Sequence, residues 1–93
     1  MEIEEITKLT SELSDYWNTR IIKHNEHGET YYGIHEVYYD KDDKPVMWSD
    51  KPIKIVFEDE EELNTILRLI LEAKYKTILE LKDEELIDTN IKL

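Results

Sequence analysis

The chain of 93 residues contains no cysteine and only two glycines and two prolines. Without cysteine it can form neither disulfide bonds nor thiolate metal sites. The absence fits a reducing compartment. A domain of this size without cross-links depends on the packing of its side chains, or on a second copy of itself.

Basic residues are also scarce: 12 Lys and Arg stand against 23 Asp and Glu, which gives a net charge of −11. This charge argues against direct binding of nucleic acid, which requires bases that displace counterions from phosphates. It also argues against docking on anionic membranes. High solubility is the simpler explanation of the charge. A protein partner with a basic surface is the functional alternative.

Long apolar runs are missing, so no transmembrane helix is expected. The first residues, MEIEEITKL, lack the basic start and the apolar run of a signal peptide. From these two absences we expect a cytoplasmic protein with no membrane partner.

The segment 16–57 carries the clearest pattern, an alternation of apolar and polar residues that predicts an antiparallel sheet of three or four strands. The predicted strands are Tyr16–Asn25, Thr30–Asp40 and a third that begins at Pro45, with residues 53–57 either resuming the third or adding a short edge strand. Gly28 lies in the first turn, where a positive φ is most useful. Gly33 lies inside the second strand, which indicates a bulge or a large neighbouring side chain that covers it.

Residues 59–76 are predicted to form a long amphipathic helix. Asp59 and Glu62 have the spacing of a capping box. Five apolar residues follow at helical spacing: Leu63, Ile66, Leu67, Ile70 and Leu71. We expect this face to pack on one side of the sheet.

The two ends complete a single α+β domain of residues 1–93. Residues 1–15 are predicted to be a short N-terminal helical extension, because apolar residues recur there at three- and four-residue steps. Residues 77–93 stay apolar to the end, which is unusual for a disordered tail. Whether they form strand, helix or an extended segment is left open.

The runs WNTRIIKH and GIHEVYYD, followed by DKPVMW and the amphipathic helix, resemble a family of short, uncharacterised bacterial proteins, some of them phage-borne. The resemblance covers about residues 17–80. It implies a compact sheet with a helix packed on it, and it implies no activity. Asp43 stands where a glycine is expected, which indicates a turn type without a positive φ. Lys76-Thr77 replaces a Lys-Pro pair that would stop the helix sharply.

No catalytic, cofactor or metal site is expected from the motifs. His24, His27 and His35 are the only histidines, and no HExxH pattern joins them. His35 and Glu36 are neighbours in a strand, so they point to opposite faces and cannot form one acid–base dyad. The chain is therefore not expected to be an enzyme. A small metal-binding or hydrolytic protein is the third alternative.

The aromatic residues are the leading candidates for a binding surface. One helix can cover only one face of a sheet, so some rings are expected to face outward. Exposed Trp and Tyr are favoured anchors of protein interfaces. The expected partner-binding residues are Trp17, Tyr31, Tyr39 and Trp48. The favoured function is a non-catalytic protein-interaction module, with self-association as a homodimer left open.

The acidic residues support a second hypothesis. Asp42, Asp43, Glu60 and Glu61 lie in clusters that could imitate the phosphate spacing of DNA, as in a phage-type inhibitor of a nucleic-acid-binding host enzyme. The simpler explanation is a polar turn and a capped helix start.

Overall fold

A computed structural model describes residues 13–93, which form an α+β fold with one sheet and one helix. The elements are strands β1 (Leu13–Glu26), β2 (Glu29–Asp40) and β3 (Pro45–Trp48), helix α1 (Glu60–Lys74), and strands β4 (Leu79–Lys82) and β5 (Glu85–Asp88). The predicted N-terminal helix of residues 1–15 lies mostly outside the described residues. Its last three residues belong to β1, so its predicted end was wrong. No helix within residues 13–93 is long and apolar enough to cross a membrane.

The sheet has five strands in the order β3-β2-β1-β4-β5, and β1 and β4 run parallel. The prediction of a three- or four-stranded antiparallel sheet was therefore right for β1, β2 and β3 and wrong for the whole. The difference comes from residues 77–93, which form the hairpin of β4 and β5. Parallel neighbours need a long crossover, and the chain from β2 through α1 supplies it. Residues 53–57 add no strand.

The alternation along β1 and β2 gives the sheet an inner and an outer face. The sheet is curled, so that β3 and β5 approach each other around the inner face. The main core lies there and consists of Ile22, Val37, Tyr39, Leu79 and Leu86, with Trp48 and Leu81 packed against it. The alternate side chains of β1 and β2, among them Thr19, Ile21 and Ile34, point to the outer face, where α1 packs.

Helix α1 contacts β1 through its backbone and its small residues. The Thr19 hydroxyl donates to the Leu69 carbonyl at 2.6 Å, and the Thr19 backbone N–H donates to the Glu72 carboxylate at 3.0 Å. Ala73 is the buried residue of the helix and packs against Ile21 and Ile78. A small residue lets the helix approach the sheet closely.

The predicted apolar face of α1 packs on the sheet only in part. Ile66 and Ile70 lie on the same side of the helix as Ala73 and are half-buried. Leu67 and Leu71 remain 48% and 50% exposed. Each lies about 160° around the helix from Leu69, whose carbonyl is bound to β1. The helix start was predicted correctly: Asp59 is the N-cap and accepts from the Glu62 N–H at 2.8 Å.

The backbone φ angle was predicted from the sequence at two turns. Gly28 has φ +79°, as predicted for the β1–β2 turn. Asp43 has φ +61°, so the expectation of a turn without positive φ was wrong. Aspartate tolerates the left-handed region better than most residues. The Asp40 carboxylate stabilises this turn because it accepts from the N–H groups of Asp42 and Lys44, each at 2.9 Å.

Candidate functional site

Four polar side chains are buried on the inner face: Asn18, Arg20 and His24 of β1, and His35 of β2. They alternate with residues of the outer face, so the two-residue period of a strand places them together. Buried polar groups are costly unless they are hydrogen-bonded. Their bonding partners therefore show whether they form a binding site or a structural network.

Arg20 holds three segments of the chain together. Its guanidinium donates to the Thr77 carbonyl at 2.7 Å, to the Thr77 hydroxyl at 2.8 Å and to the Tyr39 hydroxyl at 3.0 Å. The Tyr39 hydroxyl in turn donates to the Asn18 side-chain carbonyl at 2.7 Å. Asp88 supplies an opposite charge at 3.8 Å. These contacts engage the guanidinium within the fold, which makes it a structural group.

His24 and His35 meet through their Nε2 atoms, 3.0 Å apart. His35 Nδ1 lies 2.9 Å from the Ser49 carbonyl, which can only accept, so Nδ1 carries the proton. In the neutral ring, His35 Nε2 is then the acceptor and His24 Nε2 is the donor. His24 Nδ1 is left as a buried acceptor with no partner among the described residues. The contact between the two rings therefore requires a neutral His35.

Gly33 provides the space for this pair. A Cβ at residue 33 would lie 2.9 Å from His35 Nε2 and 3.3 Å from Pro52 Cγ. Of the two alternatives predicted for Gly33, a bulge or a large neighbouring side chain, the second is confirmed, and the side chain is that of His35. On the other side of the pair, the Tyr31 ring stacks on His24 with centroids 4.7 Å apart and planes 8° apart.

Burial lowers the pKa of His35 below its ordinary value of 6.5. The Ser49 carbonyl acts in the opposite direction, because it favours a protonated ring, and the neighbouring His24 lowers the pKa further. The lowered pKa agrees with the hydrogen bonds, since both indicate that the His35 ring is neutral in the folded protein.

Stability is therefore expected to fall in mild acid. The unfolded chain binds a proton at His35 near pH 6.5, while the folded chain binds it only at lower pH. The contribution of His35 is complete above its unfolded pKa and is lost as the pH falls from there towards the folded pKa. Urea unfolding from about pH 8 to about pH 5 measures this slope.

His35→Gln should reduce the slope between about pH 6.5 and pH 5, because it removes the titrating ring. His27 provides the control, since it is exposed and has φ +52°. His27→Asn removes an exposed imidazole and tolerates that backbone conformation, so its slope is the reference for the loss of a histidine outside the buried pair. A His35→Gln slope equal to that of the wild type would contradict the assignment.

The histidine pair could supply two ring nitrogens as ligands to a metal ion. Within residues 13–93, no group of three or more His, Cys, Asp or Glu side chains is placed to hold a metal ion. A cleft of about 200 Å³ lies elsewhere, between β3 and β5. Its lining residues are Lys44, Pro45, Val46, Trp48, Glu84, Glu85 and Leu86. None of the buried polar side chains of the inner face opens into it.

The predicted partner-binding aromatics divide into two groups. Trp17 is 44% exposed on the outer face, and Tyr31 is exposed near the β1–β2 turn. Tyr39 is only 5% exposed, so the expectation that it faces a partner was wrong. Trp48 is half-buried: it packs against the main core and also lines the cleft between β3 and β5. The curl of the sheet brings both rings to the inner face.

The predicted acidic residues are all exposed but belong to two separate elements. Asp42 and Asp43 lie in the β2–β3 turn, and Glu60 and Glu61 lie in the first turn of α1. Both groups have a local structural explanation, in a turn held by Asp40 and at a helix N-terminus that favours negative charge.

The inner polar network was missed by the sequence analysis, although its residues lie in the runs WNTRIIKH and GIHEVYYD. The alternation in GIHEVYYD does place His35 and Tyr39 on one face. It does not indicate that Arg20 binds Thr77, 57 residues away. Alternate residues of these two runs therefore line the inside of the curled sheet. Comparison with protein-family models, with curated proteins and with solved structures gives no match.

Proposed function

We propose that this protein is a non-catalytic protein-interaction module that binds a basic partner surface through exposed rings of the β1–β2 hairpin. The observation that carries the proposal is Trp17, which keeps 44% of its surface exposed on the outer face. Further exposed rings of the hairpin are Tyr16, Tyr31 and Tyr32. Tryptophan and tyrosine supply large, rigid contact areas and are enriched among the residues that dominate binding energy.

A carboxylate accompanies the tryptophan. Trp17 pairs across the strands with Tyr38, and their ring centroids are 6.3 Å apart. The Tyr38 hydroxyl donates to the Glu36 carboxylate at 2.9 Å, and burial together with this carboxylate raises the pKa of Tyr38. An indole face beside a negative charge suits an arginine or lysine of a partner. The net charge of −11 would accelerate the approach of such a partner.

Trp17→Ala is expected to weaken partner binding by about 30-fold, the effect of losing one dominant interface residue. The exposed side chain contributes little to the core, so folding should stay cooperative. Partners are first identified by affinity capture from a lysate of the source organism with quantitative mass spectrometry. The affinity of the purified partner is then measured for both variants at low and high salt.

Ile87→Ala is the control, because Ile87 is 46% exposed on the edge strand β5, away from the central strand β1 that carries Trp17. It should leave the affinity unchanged. Binding to a basic partner should weaken as salt rises. If Trp17→Ala captures the same proteins in the same amounts as the wild type, the proposed surface is wrong.

A further inference from the structure

Helix α1 carries an apolar stripe that points away from the sheet. We call it the outer stripe and define it as Glu60, Leu63, Leu67, Leu71 and Lys74. The steps between these residues are three, four, four and three, so all five fall within about 80° around the helix. The face bound to β1, at Leu69, lies on the opposite side. Leu67 and Leu71 are each about half exposed.

The spacing of the outer stripe is the same in both directions along the helix. Helix α1 runs from Glu60 to Lys74, and Leu67 is its midpoint. If a second α1 lies antiparallel across it, Leu67 meets Leu67 of the second copy. In the same register Leu63 meets Leu71, and Glu60 meets Lys74, each from opposite copies. An isologous two-fold interface requires this kind of self-complementarity.

The charges at the ends of the stripe favour an antiparallel arrangement of two helices. They also favour a second copy of this chain as the partner that covers the stripe. In a parallel pair, Glu60 would face Glu60 and Lys74 would face Lys74. The antiparallel pair instead brings opposite charges together at both ends and aligns the helix dipoles favourably. The stripe carries one acid and one base around three leucines, so its antiparallel contact adds no like-charge pair to the repulsion between two chains of net charge −11.

We infer that the protein forms a two-fold symmetric homodimer in which the outer stripes of two copies of α1 pack antiparallel, with the axis at Leu67. This surface is separate from Trp17, so the inference is independent of the proposed function. One helix pair is a small interface, and the dimer should dissociate on dilution.

Light scattering after size-exclusion chromatography, over a series of protein concentrations, tests the dimer. The wild type should approach twice the chain mass of 11.2 kDa as concentration rises. The double variant Leu67→Asp/Leu71→Asp should remain a monomer with unchanged circular dichroism, since both side chains are exposed. Ile87→Asp, at a site of equal exposure, should still dimerise. A wild type that stays monomeric, or a double variant that still dimerises, overturns the inference.

A charge exchange tests the register. Glu60→Lys and Lys74→Glu should each weaken dimerisation by about fivefold, because each places like charges together at both ends. The combined variant Glu60→Lys/Lys74→Glu restores opposite charges and should recover most of the affinity. If the combined variant is weaker than both single variants, the antiparallel register is wrong.

The absence of native cysteine permits a direct test of the axis. Leu67→Cys should form an intermolecular disulfide under mild oxidation, since the two introduced thiols face each other across the axis. Ile87→Cys is equally exposed and should cross-link far more slowly. Equal rates for the two variants would contradict an axis at Leu67. Monomeric wild type with Trp17-dependent partner capture would refute the dimer alone and leave the proposed function standing.

Discussion

Arg20→Met is expected to lower the free energy of unfolding by about 3 kcal/mol. Methionine has a similar length and keeps much of the apolar contact of the arginine stem. It cannot donate hydrogen bonds, so the Thr77 carbonyl and the Tyr39 hydroxyl lose the donor that they share. Each polar group left without a partner inside the fold costs about 1–3 kcal/mol.

Replacement of a buried ion pair by apolar residues is often neutral, which makes the sign of this prediction informative. That outcome requires the removal of both partners. Here the partners of Arg20 are mainly neutral groups that stay in place, and Asp88 is about half exposed and can return to water. The Thr77 carbonyl, which loses its guanidinium donor, should therefore dominate the result.

Urea unfolding measures the effect of Arg20→Met, with Arg68→Met as the control. Arg68 is exposed on α1, so its replacement should change stability by no more than about 0.5 kcal/mol. If Arg20 acts partly through Tyr39, the double variant Arg20→Met/Tyr39→Phe should lose less than the sum of the single losses. An Arg20→Met protein as stable as the wild type would show that the network contributes nothing.

The β1–β2 hairpin could be predicted because its alternation is local. A strand has a period of two, so the sequence separates Val37 and Tyr39 from Ile34 and Tyr38 without further information. It cannot say which set is enclosed. That depends on the curl of the sheet, which brings β3 and β5 together and places Tyr39 and Trp48 against the inner core.

The order of the sheet could not be predicted for a different reason. Strands β4 and β5 have four residues each, too few for a periodic pattern. Their place beside β1 is fixed by long-range contacts such as the pairing of Ile22 with Leu79. The apolar character of residues 77–93 argued against a disordered tail but did not indicate where the segment lies.

Helix α1 shows where amphipathic patterning fails. The pattern predicts that Leu67 and Leu71 are covered, and it assumes that the sheet covers them. The sheet instead receives Ala73 and the polar contacts of Thr19 with Leu69 and Glu72. An apolar stripe on a helix indicates that something packs there, and a second copy satisfies the pattern as well as a sheet does.

The second large effect is expected for Gly33→Ala, which should cost about 2–3 kcal/mol. The added methyl would lie 2.9 Å from His35 Nε2 and 3.3 Å from Pro52 Cγ. A flexible side chain would move aside at little cost. His35 is held by the Ser49 carbonyl on one side and by His24 on the other, and it is only 1% exposed. Moving its ring breaks at least one of these hydrogen bonds.

Gly28→Ala separates this steric effect from the general cost of replacing glycine. No atom lies within 4 Å of a Cβ at residue 28, and its φ of +79° leaves only backbone strain, about 1 kcal/mol. The test of mechanism is a double-mutant cycle measured by urea unfolding. In a His35→Ala background the methyl at residue 33 has room, so Gly33→Ala should cost much less than in the wild type. If the cost is the same in both backgrounds, the contact with His35 is not its cause, and Gly33 is required for a property of the strand itself.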